Sequence, residues 1–81
     1  MVLCNCRNQN LPNSDFGKVN LKCIDWSGSN LAGSNFSGRD LRGSVMRNVN
    51  LTGCNFTDAD MRDVDITGAI MTNAKLTGCK F

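Results

Sequence analysis

The sequence predicts a solenoid, a chain wound into about four stacked square coils, in place of a globule folded around one central core. Three observations predict it. A large apolar residue stands at every fifth position from Leu11 to Phe81; a turn-forming residue follows most of them two places later; and like residues return every twenty.

The centres are Leu11, Phe16, Leu21, Trp26, Leu31, Phe36, Leu41, Met46, Leu51, Phe56, Met61, Ile66, Met71, Leu76 and Phe81. On an α-helix a step of five turns the chain by about 500°, which scatters these side chains around the circumference. On a straight strand an odd step sends alternate centres to opposite faces. Neither geometry gives one core. A chain that turns a corner in every repeat does, because each centre then points at a common axis.

The remaining slots agree. Two places after the centre stand Asn13, Gly28, Gly33, Gly38, Gly43, Asn48, Gly53, Asp58, Asp63, Gly68, Asn73 and Gly78, residue types that tolerate turn and left-handed backbone. One place before it stands Asn or Asp in most repeats, with short side chains expected to bond the backbone of the neighbouring turn. Steps of twenty align Phe16, Phe36 and Phe56, then Leu11, Leu31 and Leu51, then Leu21, Leu41 and Met61. Four repeats therefore close one circuit. Coils about 4.8 Å apart give a rod roughly 19 Å tall.

The phrases Ser-Asn-Leu-Ala-Gly, Ser-Asn-Phe-Ser-Gly, Cys-Asn-Phe-Thr-Asp and Ala-Asp-Met-Arg-Asp closely resemble the pentapeptide repeat family. Its motif is a small residue, Asp or Asn, Leu or Phe, and two variable residues. The resemblance implies an all-β fold, a right-handed quadrilateral β-helix, here a single domain over 1–81 with regular repeats from about residue 9. It does not imply one function.

Composition narrows the rest. In 81 residues, 9 Lys and Arg face 7 Asp, so the chain offers no strong global field to steer nucleic acid or a membrane surface. The N-terminal Met-Val-Leu-Cys-Asn-Cys-Arg lacks the apolar run of a signal peptide, and no stretch reaches the roughly 20 apolar residues of a membrane span. The expected location is the cytoplasm. Cys4, Cys54 and Cys79 share the slot of Ser14, Ser29 and Ala59, and are expected as small buried hydrophobes, not disulfide partners.

Chemistry for catalysis is sparse. The chain has no His and no Tyr, its glycines fall on repeat corners, and the Asp spacing follows the repeat. Cys4 and Cys6 take inward slots and Cys23 an outward one, which argues against a metal site. No enzyme activity, cofactor or metal is expected.

Candidate binding residues lie at two places. The C-terminal end carries Met71, Leu76 and Phe81 with Ile70 in an outward slot, and is expected to be covered by a partner protein or by another copy stacked end to end. Lys22, Arg42 and Arg62 occupy one slot of successive coils, with Arg47 round the next corner, and Asp40 and Asp60 two residues earlier partly neutralise this column. The function expected is a non-catalytic structural or protein–protein interaction module.

The resemblance brings an alternative, since some family members mimic double-helical DNA and bind DNA gyrase, protecting it from quinolones or inhibiting it. A 19 Å segment of duplex presents about eleven phosphates, and seven carboxylates against nine cations do not imitate that. Direct nucleic-acid binding through Lys22, Arg42, Arg47 and Arg62 is weaker still, because no aromatic residue is interleaved for base stacking. One residue breaks the pattern. Arg39 stands in an inward slot between Val19 and Ala59, where an unpaired charge is costly, so the backbone is expected to bulge there and turn the guanidinium out beside Arg42.

Overall fold

The fold is a β-helical ladder, seen in a computed structural model that describes residues 3–81. Met1 and Val2, part of the stretch searched above for a signal peptide, lie outside the described residues. Strand β1 (Cys4–Asn5) pairs in parallel with β2 (Ile24–Asp25), Cys4 opposite Ile24 and Asn5 opposite Asp25. Further parallel bridges join residues twenty apart: Asn10 to Asn30, Asn50 and Ile70; Asp15 to Asn35, Asn55 and Lys75; Asp25 to Val45 and Asp65; and Asp40 to Asp60 and Lys80. Each circuit of twenty residues thus holds four five-residue repeats. Val45 is half-buried within this ladder.

The ladder satisfies backbone groups that no helix or long strand serves. Most centres from Leu11 to Met61 donate their N–H to the next coil, as Leu31 does to the Asn50 carbonyl at 2.9 Å and Phe36 to that of Asn55 at 2.8 Å. The returning bonds run from Asn50 to Ser29 at 3.0 Å and from Asn55 to Ser34 at 3.0 Å. Contrary to the expectation above, these Asn and Asp side chains do not bond the backbone of the neighbouring turn but accept from the backbone two residues ahead in their own turn; Asn30 Nδ2 also donates across the coils to Asn10 Oδ1 at 3.1 Å. Asn30 Oδ1 takes the Ala32 N–H and Asn50 Oδ1 that of Thr52, both at 3.1 Å. Each such ring stiffens one corner before the coils stack.

At those corners the backbone enters the left-handed region. Asn48 has φ 58° and Gly68, one coil on, φ 72°. A Cβ on Gly68 would fall onto Asn48 Oδ1, and one on Gly28 onto Asn8 Oδ1. At these places the glycine is required by the side chain stacked on it as well as by its own φ.

The centres form the core. Leu21, Trp26, Leu31, Phe36, Leu41, Met46, Leu51, Phe56 and Met61 are buried, and Leu11, Phe16, Ile66 and Met71 pack against them from the two ends. Phe16, Phe36 and Phe56 stack at centroid separations of 5.4 and 5.3 Å, near the coil spacing, so the aromatic column follows directly from the twenty-residue period. Ile24 and Val49, outside the centre register, are buried in the inward slot two residues before a centre.

Ser29, Ser34 and Ser44 are buried in that same inward slot. Each hydroxyl is inserted into the turn of the preceding coil. Ser34 Oγ donates to the Leu11 carbonyl at 3.2 Å and accepts the Ser14 N–H at 3.1 Å; Ser44 Oγ does the same between Leu21 and Ile24 at 2.9 and 3.0 Å. Ser29 joins Cys6 and Gln9 likewise, at 2.9 and 3.0 Å. Where Cys or Ala lies below, the turn closes on itself, as Ser34 N–H does on Leu31 over Cys54 and Arg39 N–H on Phe36 over Ala59, both at 3.1 Å. Cys54 is buried as expected, whereas Cys4 is exposed, because no described coil lies beyond it.

The expected bulge at Arg39 is absent. Gly38 carries the usual positive φ, and the Asp60 N–H donates to the Arg39 carbonyl at 2.9 Å, as the pattern requires. The irregularity lies one coil earlier, over residues 16–20. There the positive φ moves from Lys18 to Gly17, and Val19 is 59% exposed. The Arg39 guanidinium donates to the Val19 carbonyl, the acceptor that an Asp40 N–H would use in a regular ladder. It does not turn out beside Arg42. The long side chain in the inward slot thus bonds the carbonyl of the repeat stacked on it, in place of the Asp40 N–H, and that repeat departs from the regular turn.

Candidate functional site

The described surface offers two candidate areas, the C-terminal end and the arginine column, and no pocket opens among the described residues. The end is built by the last circuit. Its inward residues Val64, Ala69, Ala74 and Cys79 and its centres Ile66 and Met71 are half-buried, because they have a coil on one side only. Leu76 is 40% exposed, Ile70 53% and Phe81 66%. The sequence reading named Ile70, Met71, Leu76 and Phe81, and the fold gathers them at one end. It did not name Ile66 or the small residues beside it, although their slots carry the same information.

The arginine column is a row of ion pairs. Arg42 Nε donates to Asp40 Oδ1 at 2.9 Å and a terminal nitrogen to Oδ2 at 2.8 Å; Arg62 grips Asp60 in the same way at 2.9 and 2.6 Å. Arg42 also lies 3.7 Å from Asp60, and Arg47 3.7 Å from Asp65. Hydrogen bonds from the Arg62 side chain hold the Asp60 carboxyl down to about 2, and those from Arg42 lower Asp40. Lys22 is exposed at the head of the column. The twenty-residue stack therefore sets Arg42 between two carboxylates, Asp40 and Asp60, while Arg62 holds Asp60 alone, and what reads as a basic stripe is close to neutral over Arg42 and Arg62.

Other titrating groups follow local causes. Hydrogen bonds from Ser27 lower Asp25 and those from Thr67 lower Asp65, while burial raises the Cys54 and Cys79 thiols. Among the described residues no group of His, Cys, Asp or Glu converges to hold a metal ion. No helix among them is long and apolar enough to cross a membrane.

Against known families, a profile of pentapeptide repeats matches residues 13–48 and 44–81, in eight copies. The chain belongs to the pentapeptide repeat family. The crystal structure of a pentapeptide repeat protein, Rfr23 from the cyanobacterium Cyanothece 51142, is similar to this chain at 20% identity. That match covers 95% of this chain and 83% of the other, with a TM-score of 0.35. No curated protein matches the chain. Pentapeptide repeat proteins are generally structural or interaction modules, and membership gives this chain a β-helical solenoid fold without assigning a partner.

Proposed function

We propose that the chain is a non-catalytic structural or protein–protein interaction module. In this reading it is one domain over residues 1–81, a short, rigid, right-handed quadrilateral rod of about four coils, working in the cytoplasm. It binds a partner protein or another copy through its faces and its C-terminal end. The observation that carries the reading is the contrast between a closed interior and an open end. Phe36, Leu41, Leu51 and Phe56 have no exposure, whereas Ile70, Leu76 and Phe81, towards the C-terminal end, are 40–66% exposed. Apolar groups gathered in this way are stabilised by a partner that removes them from water.

The DNA-mimic alternative gains nothing from the charge arrangement. Asp25, Asp40, Asp60 and Asp65, four of the seven carboxylates, are paired with arginine. Molar mass by light scattering, measured beside a Phe81→Asp variant, tests the preferred reading. Association of the parent chain that is lost in the variant is expected; a monomer unaffected by the substitution, with no partner protein bound at that end, would overturn it.

A further inference from the structure

We propose that the C-terminal end receives the N-terminal end of a second copy, in register, so that copies stack head to tail. This rests on the reading of the C-terminal end as a binding surface and names its occupant.

Three features of the two ends point to this occupant. The first is the backbone. Met46, Leu51 and Phe56 donate their N–H groups to Asp65, Ile70 and Lys75, but Ile66, Met71 and Leu76, one coil later, have no backbone acceptor among the described residues. At the opposite end Asn30 and Asn35 donate to Gln9 and Ser14, while Asn10 and Asp15 have no backbone acceptor among the described residues. Each end thus leaves unmade the bonds that the other can supply, provided the incoming chain keeps the twenty-residue register. A second copy does so.

The second is packing. One coil beyond the end, a copy in register sets Cys6 against Ile66, Leu11 against Met71 and Phe16 against Leu76. All three incoming centres are half-buried and lie at the edge of the core. The Phe16 ring would prolong the column that already runs through Phe36 and Phe56.

The third is charge, which suits this orientation. The bridging slot of the last circuit holds Asp65, Ile70, Lys75 and Lys80, that of the first circuit Asn10 and Asp15, and Asp15 and Lys75 belong to one column. A two-fold pairing of C-terminal ends lets Asp65 meet only one of the two lysines, and a pairing of N-terminal ends offers Asp15 no cation in this slot. Head-to-tail stacking sets Lys75 beside Asp15. Such a contact is heterologous and does not close, so it yields open chains of copies.

Size sets the strength. The molecule measures 30 × 24 × 20 Å, so an end of at least about 24 by 20 Å buries roughly 1,000 Å² over both partners, the lower limit of specific interfaces. Association is therefore concentration-dependent. Sedimentation equilibrium from about 10 µM to about 1 mM at low salt should give a molar mass that climbs past the dimer without a plateau.

Asp15→Lys and Lys75→Asp, both at exposed positions, should each raise the concentration for half-association about tenfold. An equimolar mixture of the two variants should restore the parent behaviour, because each then meets its opposite charge in the other. A mass that stops at two and ignores both charge substitutions overturns the inference, as does a monomer throughout. Loss of association in Phe81→Asp with no effect of either charge variant also overturns it, while leaving the C-terminal end as a binding surface for a different occupant.

Discussion

Two kinds of polar residue occupy the inward slot of this solenoid, and the coil treats them oppositely. Ser34 is fully buried, and its hydroxyl both donates to and accepts from the turn of the preceding coil, which keeps its place. Arg39 is half-buried and bonds the Val19 carbonyl, and the repeat above it departs from the regular turn. What decides is reach. A hydroxyl offers one donor and one acceptor within the width of a turn, so it substitutes for a backbone bond where it sits. A guanidinium offers only donors at the end of a long stem, and it must find carbonyls by displacing what covers them.

The largest expected effect comes from moving the arginine into the regular region. Ser34→Arg places the charge against Leu11 and Ser14, in the inward slot between Ser14 and Cys54, and should destabilise the rod by about 3–5 kcal/mol, read from urea unfolding. A loss below 1 kcal/mol would mean that any corner can rearrange as residues 16–20 have. Ser34→Ala sharpens the same point at lower cost, about 1 kcal/mol, since the Ser14 N–H can then close directly on Leu11 as Arg39 does on Phe36 over Ala59.

The converse substitution should cost little. Arg39→Ala restores a small inward residue and is expected to change stability by no more than about 0.5 kcal/mol. Its signature is local: the Asp40 amide should gain protection from hydrogen exchange as it reclaims the Val19 carbonyl. Unchanged exchange at Asp40 would show that Gly17, not Arg39, sets the irregular turn.

The smallest effect is in acid. Asp60 is held at about 2, below the ordinary 3.8, and Asp25, Asp40 and Asp65 are lowered as well. Because the folded values lie below the unfolded ones, these carboxylates stabilise the rod above about pH 4, and that contribution fades as pH falls towards 2. Circular-dichroism melts should be flat from pH 8 to 5, where no histidine titrates, and should decline below pH 4. Asp60→Asn should make that decline shallower; an identical profile would remove the Arg62 pair from the account.

Much of this was legible in the linear chain. The period of five places every centre from Leu21 to Met61 in the core, and the period of twenty aligns Phe16, Phe36 and Phe56, because a repeat that turns one corner leaves the chain no other common interior. The exposed apolar residues were legible for the same reason, since Ile70, Leu76 and Phe81 stand in known slots at the C-terminal end of the described coils. The column of Lys22, Arg42 and Arg62 was legible as a column but only partly as a set of pairs. Its second carboxylate contact, Arg42 to Asp60, crosses between coils.

By itself, then, the sequence determined the winding, the register and which residues face the axis, all of which follow from spacing along one chain. Only the tertiary structure decided how polar atoms are shared between coils: Ser34 and Ser44 inserted into turns, Asn48 lying over Gly68, and Arg39 bonding the irregular repeat over residues 16–20 while its own backbone stays regular. The physical reason is that a periodic pattern fixes positions but not which of two neighbours yields when both need the same space or the same carbonyl. That depends on side-chain length, donor count and the freedom of the particular turn, and here the repeat with Gly17 is the irregular one.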